Sequence, residues 1–308
     1  MNLLVTGAWS DAKNHLDELE GLGHRVRFMQ FEKNELPCPY EWAEGVICNG
    51  LFLSHPIEKF VNLRFIQLTS AGFDRVDMDY VKAHEIEIHN ARGVYSIPMA
   101  EFALCGVLQL YKQAAFFREN QKQHLWEKHR GLLELAGKNV CIFGCGSVGN
   151  ECARRFGAFG CKVTGVDLYP REDSLYSAIL PLSDSDSVLS RTDVAVLTLP
   201  LTEQTKHLFD DEKLSLLHDG AVLVNIARGA IVDTEALLRH IDRLGGAVLD
   251  VFEEEPLSAD NPLWEKENVI LTPHNSFVGE NNAQRIRKAL MKNIMEVSNV
   301  NQELQKRD

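Results

Sequence analysis

Arg228, Glu255 and His274 each stand at the end of an apolar run that reads as a β-strand. Arg228 follows Val222-Leu223-Val224-Asn225-Ile226-Ala227 and precedes Gly229, while Glu255 closes Asp250-Val251-Phe252-Glu253-Glu254-Glu255-Pro256. His274 follows Ile270-Leu271-Thr272-Pro273. In a doubly wound sheet, ligands bind beyond the carboxyl ends of the strands, so these three positions can converge on one cleft. Imidazole is the side chain whose ionisation suits proton transfer near neutrality. A carboxylate on its other ring nitrogen fixes the tautomer and raises the pKa. A guanidinium grips a carboxylate through two parallel bonds and polarises a carbonyl beside it. Taken singly, each residue has a plainer role open to it. His274 after a proline reads as a capped loop residue, and Arg228 as the partner of a helix C-terminus. Glu253 and Glu254 read as solvated. Spacing alone does not bring the three together.

A second motif says what would lie beside them. Asn139-Val140-Cys141-Ile142-Phe143 runs into Gly144-Cys145-Gly146-Ser147-Val148-Gly149, then a helical segment, then Lys162-Val163-Thr164-Gly165-Val166-Asp167. Gly144 allows a tight turn off the strand, and Gly146 lets the backbone approach a pyrophosphate. Gly149 lets the helix pack closely, with the first-turn N–H groups of Ser147 and its neighbours, Val148 among them, facing the phosphates. Asp167 falls roughly twenty residues on, where an acid holds a ribose 2′-OH. A glycine loop by itself is a common βα turn, and Asp167 by itself a solvated strand-end acid. The order strand, loop, helix, strand, acid points to a dinucleotide. Hydride transfer to a ketone leaves a developing alkoxide that needs a proton, which is the task His274 suits. Asp167 would repel a 2′-phosphate and so favours NAD, with Arg171 the one feature that softens the preference. Cys145 reads as a small filler.

The elements that must position these residues alternate along the whole chain. The 308 residues suffice for two medium domains. A net charge of −12 offers no basic face for nucleic acid. No run of about 18 apolar residues exists to span a membrane, and Met1-Asn2-Leu3-Leu4-Val5 reads as a first strand, not a signal peptide. Seven scattered cysteines, an odd number without a CxxC, suit reduced thiols in the cytoplasm, and no metal site is expected. Strands are expected at 3–5, 25–28, 45–48, 65–68 and 85–88, with helices at 13–19, 57–61 and 78–83. Six more follow at 140–143, 162–166, 194–197, 221–225, 247–249 and 269–271. Strands alternating with helices imply parallel sheets. Between the two sets, Ser96-Ile97-Pro98 opens a helix expected to run from Met99 to Phe117, apolar on much of its circumference. It is buried within the monomer or against a partner subunit. Near the end, Ile286, Leu290, Ile294 and Val297 form one helical stripe expected to return to the first domain. The fold expected is α/β with two doubly wound parallel-sheet domains. Residues 98–278 form a Rossmann dinucleotide-binding domain, and residues 1–97 plus 279–308 a smaller flavodoxin-like domain.

The chain resembles the D-isomer-specific 2-hydroxyacid dehydrogenases, which include phosphoglycerate dehydrogenase, glyoxylate/hydroxypyruvate reductase and D-lactate dehydrogenase. The resemblance rests on Thr69-Ser70-Ala71-Gly72-Phe73-Asp74, the glycine loop with Asp167, and Leu199-Pro200-Leu201-Thr202. It continues through Asn225-Ile226-Ala227-Arg228-Gly229 and the run from Leu249 to Pro256, and ends at Thr272-Pro273-His274. It implies that Arg228 orients the substrate, that His274 is the acid/base and that Glu255 pairs with it. It implies that Ala71 and Gly72 offer backbone N–H groups to a substrate carboxylate. Leu199, Pro200 and Ala227 would flank the cofactor, and Asp250 would meet the nicotinamide amide. It further implies a small 2-oxoacid or D-2-hydroxyacid bound between two closing domains, and a homodimer built on the helix after Ser96. Leu51, Phe52, Arg92 and Tyr95 are candidates for the substrate wall. Asn275-Ser276-Phe277 departs from the small, glycine-rich stretch usual after the histidine, which blurs the subfamily. An NAD(H)-sensing corepressor on the same fold is the alternative function, and formate dehydrogenase a third that fits this shorter chain poorly.

Overall fold

The apolar runs of the chain pair into two separate sheets. The computed structural model describes residues 1–305, and the side chains of residues 1–297. The chain divides into two compact units. One is Met1–Tyr95 together with the stretch from Gly279 onward, and the other is Ser96–Val278.

In the first unit β1 (Asn2–Thr6), β2 (Arg25–Met29), β3 (Gly45–Cys48), β4 (Phe65–Leu68) and β5 (Glu87–His89) form a parallel sheet in the order β2-β1-β3-β4-β5. Alternate side chains enter opposite faces. Leu3, Val5, Ile47 and Phe65 meet one layer, and Leu4, Val46, Cys48, Ile66 and Leu68 the other. Burial on both faces explains why these strands read as unbroken apolar runs. The first layer is closed by the C-terminal helix, Asn282–Gln305, whose Ile286, Leu290, Ile294 and Val297 are all buried there. Arg287 fixes the helix further through a bidentate pair with Glu18. Helices α1 (Leu16–Gly21) and α2 (Met78–Ala83) are short, the latter capped by Asp77, which accepts from the Tyr80 N–H at 2.9 Å.

The second unit begins with α3 (Ser96–Tyr111) and α4 (Ala114–Lys122). It continues through β6 (Asn139–Phe143), α5 (Ser147–Ala158), β7 (Lys162–Asp167), β8 (Ile179–Pro181) and α6 (Asp186–Leu189). Then come β9 (Val194–Leu197), α7 (Asp211–Leu216), β10 (Val222–Asn225), α8 (Thr234–His240), β11 (Gly246–Leu249) and β12 (Val269–Leu271). Among the described residues its sheet has seven parallel strands in the order β12-β11-β10-β9-β6-β7-β8. β6 sends the chain outward to β7, and β9 starts the run on its other side. The carboxyl ends of β6 and β9 therefore flank a topological switch point, where such sheets bind ligands.

Four expectations change, the first being the helix expected at 57–61, which is a single 3-10 turn, Ile57–Lys59. The helix expected from Met99 to Phe117 is two helices, because Gln113 takes a left-handed φ of 52°. The returning chain causes the stop, since the Leu133 N–H donates to the Tyr111 carbonyl at 3.0 Å and Lys112 Nζ reaches the Leu133 carbonyl. The strand expected at 85–88 starts two residues later, after Glu85 turns the chain with φ 52°. β8 was not foreseen. It is three residues long and ends on Pro181, as suits an edge strand that needs few ladder bonds.

Candidate active site

Beyond the carboxyl end of β6, Gly144 takes φ +97° and donates its N–H to the Val166 carbonyl at 2.7 Å. A Cβ there would stand 2.8 Å from the backbone of Thr198 and Leu199, so the loop lies directly against the chain leaving β9. Gly149 is under tighter constraint, since a Cβ would fall 2.0 Å from the Gly144 carbonyl oxygen. The first turn of α5 is thereby seated on the loop itself. Gly146, the residue before the helix, is exposed, and a Cβ on it would meet nothing within 4 Å. No side chain caps this helix, so the first-turn N–H groups of Ser147 and Val148 are left for an anion. Thr198 Oγ bonds the Gly144 carbonyl at 2.6 Å, Leu199 is buried beneath, and Pro200 is exposed beside it.

Asp167 ends β7 as expected. Its Oδ2 accepts from the Cys145 N–H at 2.6 Å and its Oδ1 from the Tyr169 N–H at 2.9 Å, which turns the carboxylate toward the glycine loop. Arg171 donates to the Cys145 carbonyl at 2.5 Å, so a guanidinium shares this corner with Asp167. Cys145 itself points inward, and burial pushes its thiol up to about 12, which makes it inert packing. An open glycine, helix N–H donors and a strand-end carboxylate acceptor form an arrangement that fits NAD.

The polar trio sits on the loops after β10, β11 and β12. His274 Nδ1 and Glu255 Oε2 are 2.9 Å apart, and Glu255 Oε1 accepts the Phe252 N–H at 3.1 Å. Each carboxylate oxygen thus has one partner, and the imidazole is held in one orientation with Nε2 unbonded among the described residues. The side chains are 43% and 37% exposed, open enough for a substrate to reach. Arg228 is half-buried, and its Nη1 donates to the Ala227 carbonyl at 2.7 Å. Asn225 shapes this turn, accepting from the Ala227 N–H and donating to the Arg228 carbonyl. A Cβ on Gly229 would overlap the Phe252 carbonyl carbon at 1.8 Å, so the Arg228 turn and the Glu255 loop touch backbone to backbone.

Two acids do more than their sequence positions show. Asp250 is fully buried, and its carboxylate accepts from Thr272 Oγ (2.7 Å), the Asn275 N–H (2.7 Å) and the Ser276 N–H (2.9 Å). Its own carbonyl accepts the His274 N–H at 2.8 Å. These bonds stabilise the left-handed φ of 50° at His274, which a non-glycine residue adopts only when its surroundings hold it there. Glu253, expected to be solvated, bonds His207 and Thr234 instead.

In the first unit, the loop carrying Ala71 and Gly72 follows β4. Ser70 Oγ bonds the Gly72 carbonyl, Asn90 Nδ2 the Ala71 carbonyl at 2.6 Å, and the Tyr95 hydroxyl the Thr69 carbonyl at 2.5 Å. Tyr95 therefore braces the loop. Leu51 is buried in the core and Arg92 is exposed.

A bare glycine-loop cradle and an imidazole–carboxylate pair on one sheet edge are the equipment of a dinucleotide-dependent dehydrogenase. The profile of the family described as "D-isomer specific 2-hydroxyacid dehydrogenase, NAD binding domain" matches residues 104–276, and the chain belongs to this family. It is 34% identical over 235 residues to an (S)-sulfolactate dehydrogenase of Chromohalobacter salexigens, covering 75% of this chain and 76% of the relative. It is 31% identical over 246 residues to a glyoxylate reductase of Thermofilum pendens, covering 77% and 72%. The crystal structure of D-lactate dehydrogenase from Aquifex aeolicus with NAD and lactic acid matches with a TM-score of 0.81 at 28% identity, covering 100% of this chain and 98% of that one. The protein is thus an NAD-dependent oxidoreductase of 2-hydroxyacids, acting on a CH–OH group. Among the described residues, no helix is long and apolar enough to cross a membrane.

Proposed function

We propose that this enzyme reduces a small 2-oxoacid to its D-2-hydroxyacid, reversibly, with His274 as acid/base, Glu255 paired to it and Arg228 orienting the substrate. The observation that carries the reading is the 2.9 Å bond from Glu255 to Nδ1 of His274, which leaves Nε2 to exchange a proton with the substrate oxygen. Bound NAD supplies or takes up the hydride at the adjacent carbon. Glu255 holds the ring by Nδ1, so the proton exchanged with the developing alkoxide is the one on Nε2. Arg228 binds the substrate carboxylate in a bidentate pair and draws electron density from the neighbouring carbonyl.

The relatives' names run from glyoxylate to sulfolactate, so the substrate is best described as a 2-oxoacid class. Those names are of reductases and dehydrogenases, which favours the enzyme over a sensor. A homodimer is the assembly favoured by α3. Small residues, Ala100, Ala103 and Gly106, take its buried face, while Phe102, Leu104 and Leu108 stay partly exposed. Nearby, Trp126 is 95% exposed, a large apolar surface for a monomer to leave in water. Seven free thiols suit a cytoplasmic enzyme.

The deciding experiment follows NADH oxidation against glyoxylate, pyruvate, hydroxypyruvate, phenylpyruvate and branched 2-oxoacids. The active pair is then repeated with His274→Ala. Turnover should fall by about 10²–10⁴-fold while NADH binding, read by fluorescence, is kept. A wild type that binds NADH yet turns over none of the panel sinks the enzyme reading. Sedimentation at micromolar concentration reads the dimer, and a monomer there overturns it.

A further inference from the structure

Glu255 is fixed at both oxygens, but the loop that carries it, from Phe252 to Pro256, has no regular secondary structure. Something else must hold that loop. Two residues before Glu255, the Glu253 carboxylate makes three bonds that leave its own loop. Its Oε1 meets His207 Nε2 at 2.5 Å, and its Oε2 accepts from the Thr234 N–H at 3.0 Å and the Thr234 hydroxyl at 2.5 Å. His207 lies on the chain after β9, in a left-handed conformation with φ 48°, and donates its N–H to the Ala230 carbonyl at 2.7 Å. Thr234 opens α8 after β10. One carboxylate therefore joins the connections after β9, β10 and β11.

A local helix cap does not account for this. α8 already has its cap in Asp233, which accepts the Ala236 N–H at 2.9 Å. The contact of Gly229 with Phe252 and Glu253 brings the same two loops together from the other side. Burial raises the Glu253 pKa, but the bonds from Thr234, with those from His207 behind them, outweigh it and hold the carboxyl below its ordinary value. The group is charged at neutral pH.

We propose that Glu253 is a positioning residue: bonded to Thr234 and His207, it fixes the Phe252–Pro256 loop so that Glu255 stays on Nδ1 of His274. The proposal rests on the acid/base reading of His274 and Glu255 given above. Glu253 acts through Glu255 and touches no reacting atom.

The test compares Glu253→Gln with Thr234→Val in the full-length enzyme. Both loosen the loop, but only the first removes a charge. In both, kcat should fall about tenfold with NADH affinity kept, and the Nδ1–H proton signal of His274, followed by NMR of labelled histidine, should shift upfield as Glu255 loses its place on that nitrogen. Thr234→Ser, which keeps the hydroxyl, should restore what Thr234→Val loses. A shift in Glu253→Gln without one in Thr234→Val means charge acting at a distance, and overturns the proposal. So does a His274 Nδ1–H signal unmoved in both. A fully active His274→Ala enzyme would overturn the acid/base assignment itself, a different failure read from a different variant.

Discussion

The two units answer the same topological question in opposite ways. Each has a first strand whose neighbours on either side are reached in different directions, β1 between β2 and β3 and β6 between β7 and β9. Each also places an acid at or just past the end of its second strand, Glu32 after β2 and Asp167 on β7. In the first unit Glu32 is consumed by the fold. Its Oε1 accepts from the Thr6 hydroxyl at 2.8 Å and the Asn49 N–H at 2.7 Å, and its Oε2 from the Gly50 N–H at 2.7 Å. The ends of β1 and β3 are thus tied together across the place where a ligand would sit, and Trp9 is buried just beyond β1. In the second unit the acid bonds, among the described residues, the backbone N–H groups of Cys145 and Tyr169 in its own corner, and Gly146 stays exposed. Architecture supplies a crevice at the switch point, and side chains decide whether it is filled from within or kept for a cofactor.

If that contrast is right, crowded glycines beyond the first strand of each sheet should fail differently. Gly149→Ala forces a methyl group into the Gly144 carbonyl, whose backbone has no rotamer to yield. NADH affinity should drop by more than about 100-fold, because the first turn of α5 can no longer seat on the loop. Gly7, just after β1, is also crowded, with a would-be Cβ 2.3 Å from the Gln30 carbonyl oxygen. Gly7→Ala should cost about 1–3 kcal/mol of stability and leave the NADH Kd where it was. Fluorescence titration with thermal melts separates the two. Equal loss of NADH binding in both variants breaks the comparison.

What could be read from sequence, and what could not, divides along a physical line. The glycine loop, Asp167 and the strand-end places of Arg228, Glu255 and His274 were legible because each is a local matter of turn geometry or strand period. The supports were not. Glu253 reaches His207 across 46 residues, and Asp250 holds Thr272, Asn275 and Ser276 across 22 to 26. Nothing in a run of acids before a proline distinguishes a solvated carboxylate from one that knits loops together. Asn225 was nearer to legible, since an Asn within three residues of the arginine it steadies is a known turn-former. The break at Gln113 escaped because its cause, the Leu133 N–H on the Tyr111 carbonyl, lies twenty residues downstream along the chain.

The two acids themselves give the next test. Glu32→Gln keeps the shape and one acceptor but replaces the other with an N–H₂ group facing an N–H donor. At least one part-buried donor among Thr6, Asn49 and Gly50 then loses its acceptor, a cost of about 1–3 kcal/mol. The effect should appear in chemical denaturation of the enzyme and be absent from its affinity for NADH. A Glu32→Gln protein as stable as the wild type would mean that the first switch point is not held shut by this side chain.

Asp167→Ser should give the smallest change, and the most specific one. Removing the carboxylate takes away its repulsion toward a 2′-phosphate and leaves Arg171, bonded to the Cys145 carbonyl and paired with Asp173 at 3.6 Å, as the cation of that corner. The serine hydroxyl still accepts from a backbone N–H, so the loop keeps part of its support. The NADH Kd should rise about tenfold, corresponding to about 1.4 kcal/mol, and the NADPH Kd should fall. Stability should move little, in contrast to Glu32→Gln. The direction of the NADPH change carries the argument, because a merely structural acid predicts that both cofactors weaken together. If they do, Asp167 is a second Glu32, spent on the fold, and the difference between the two switch points lies in the glycines alone.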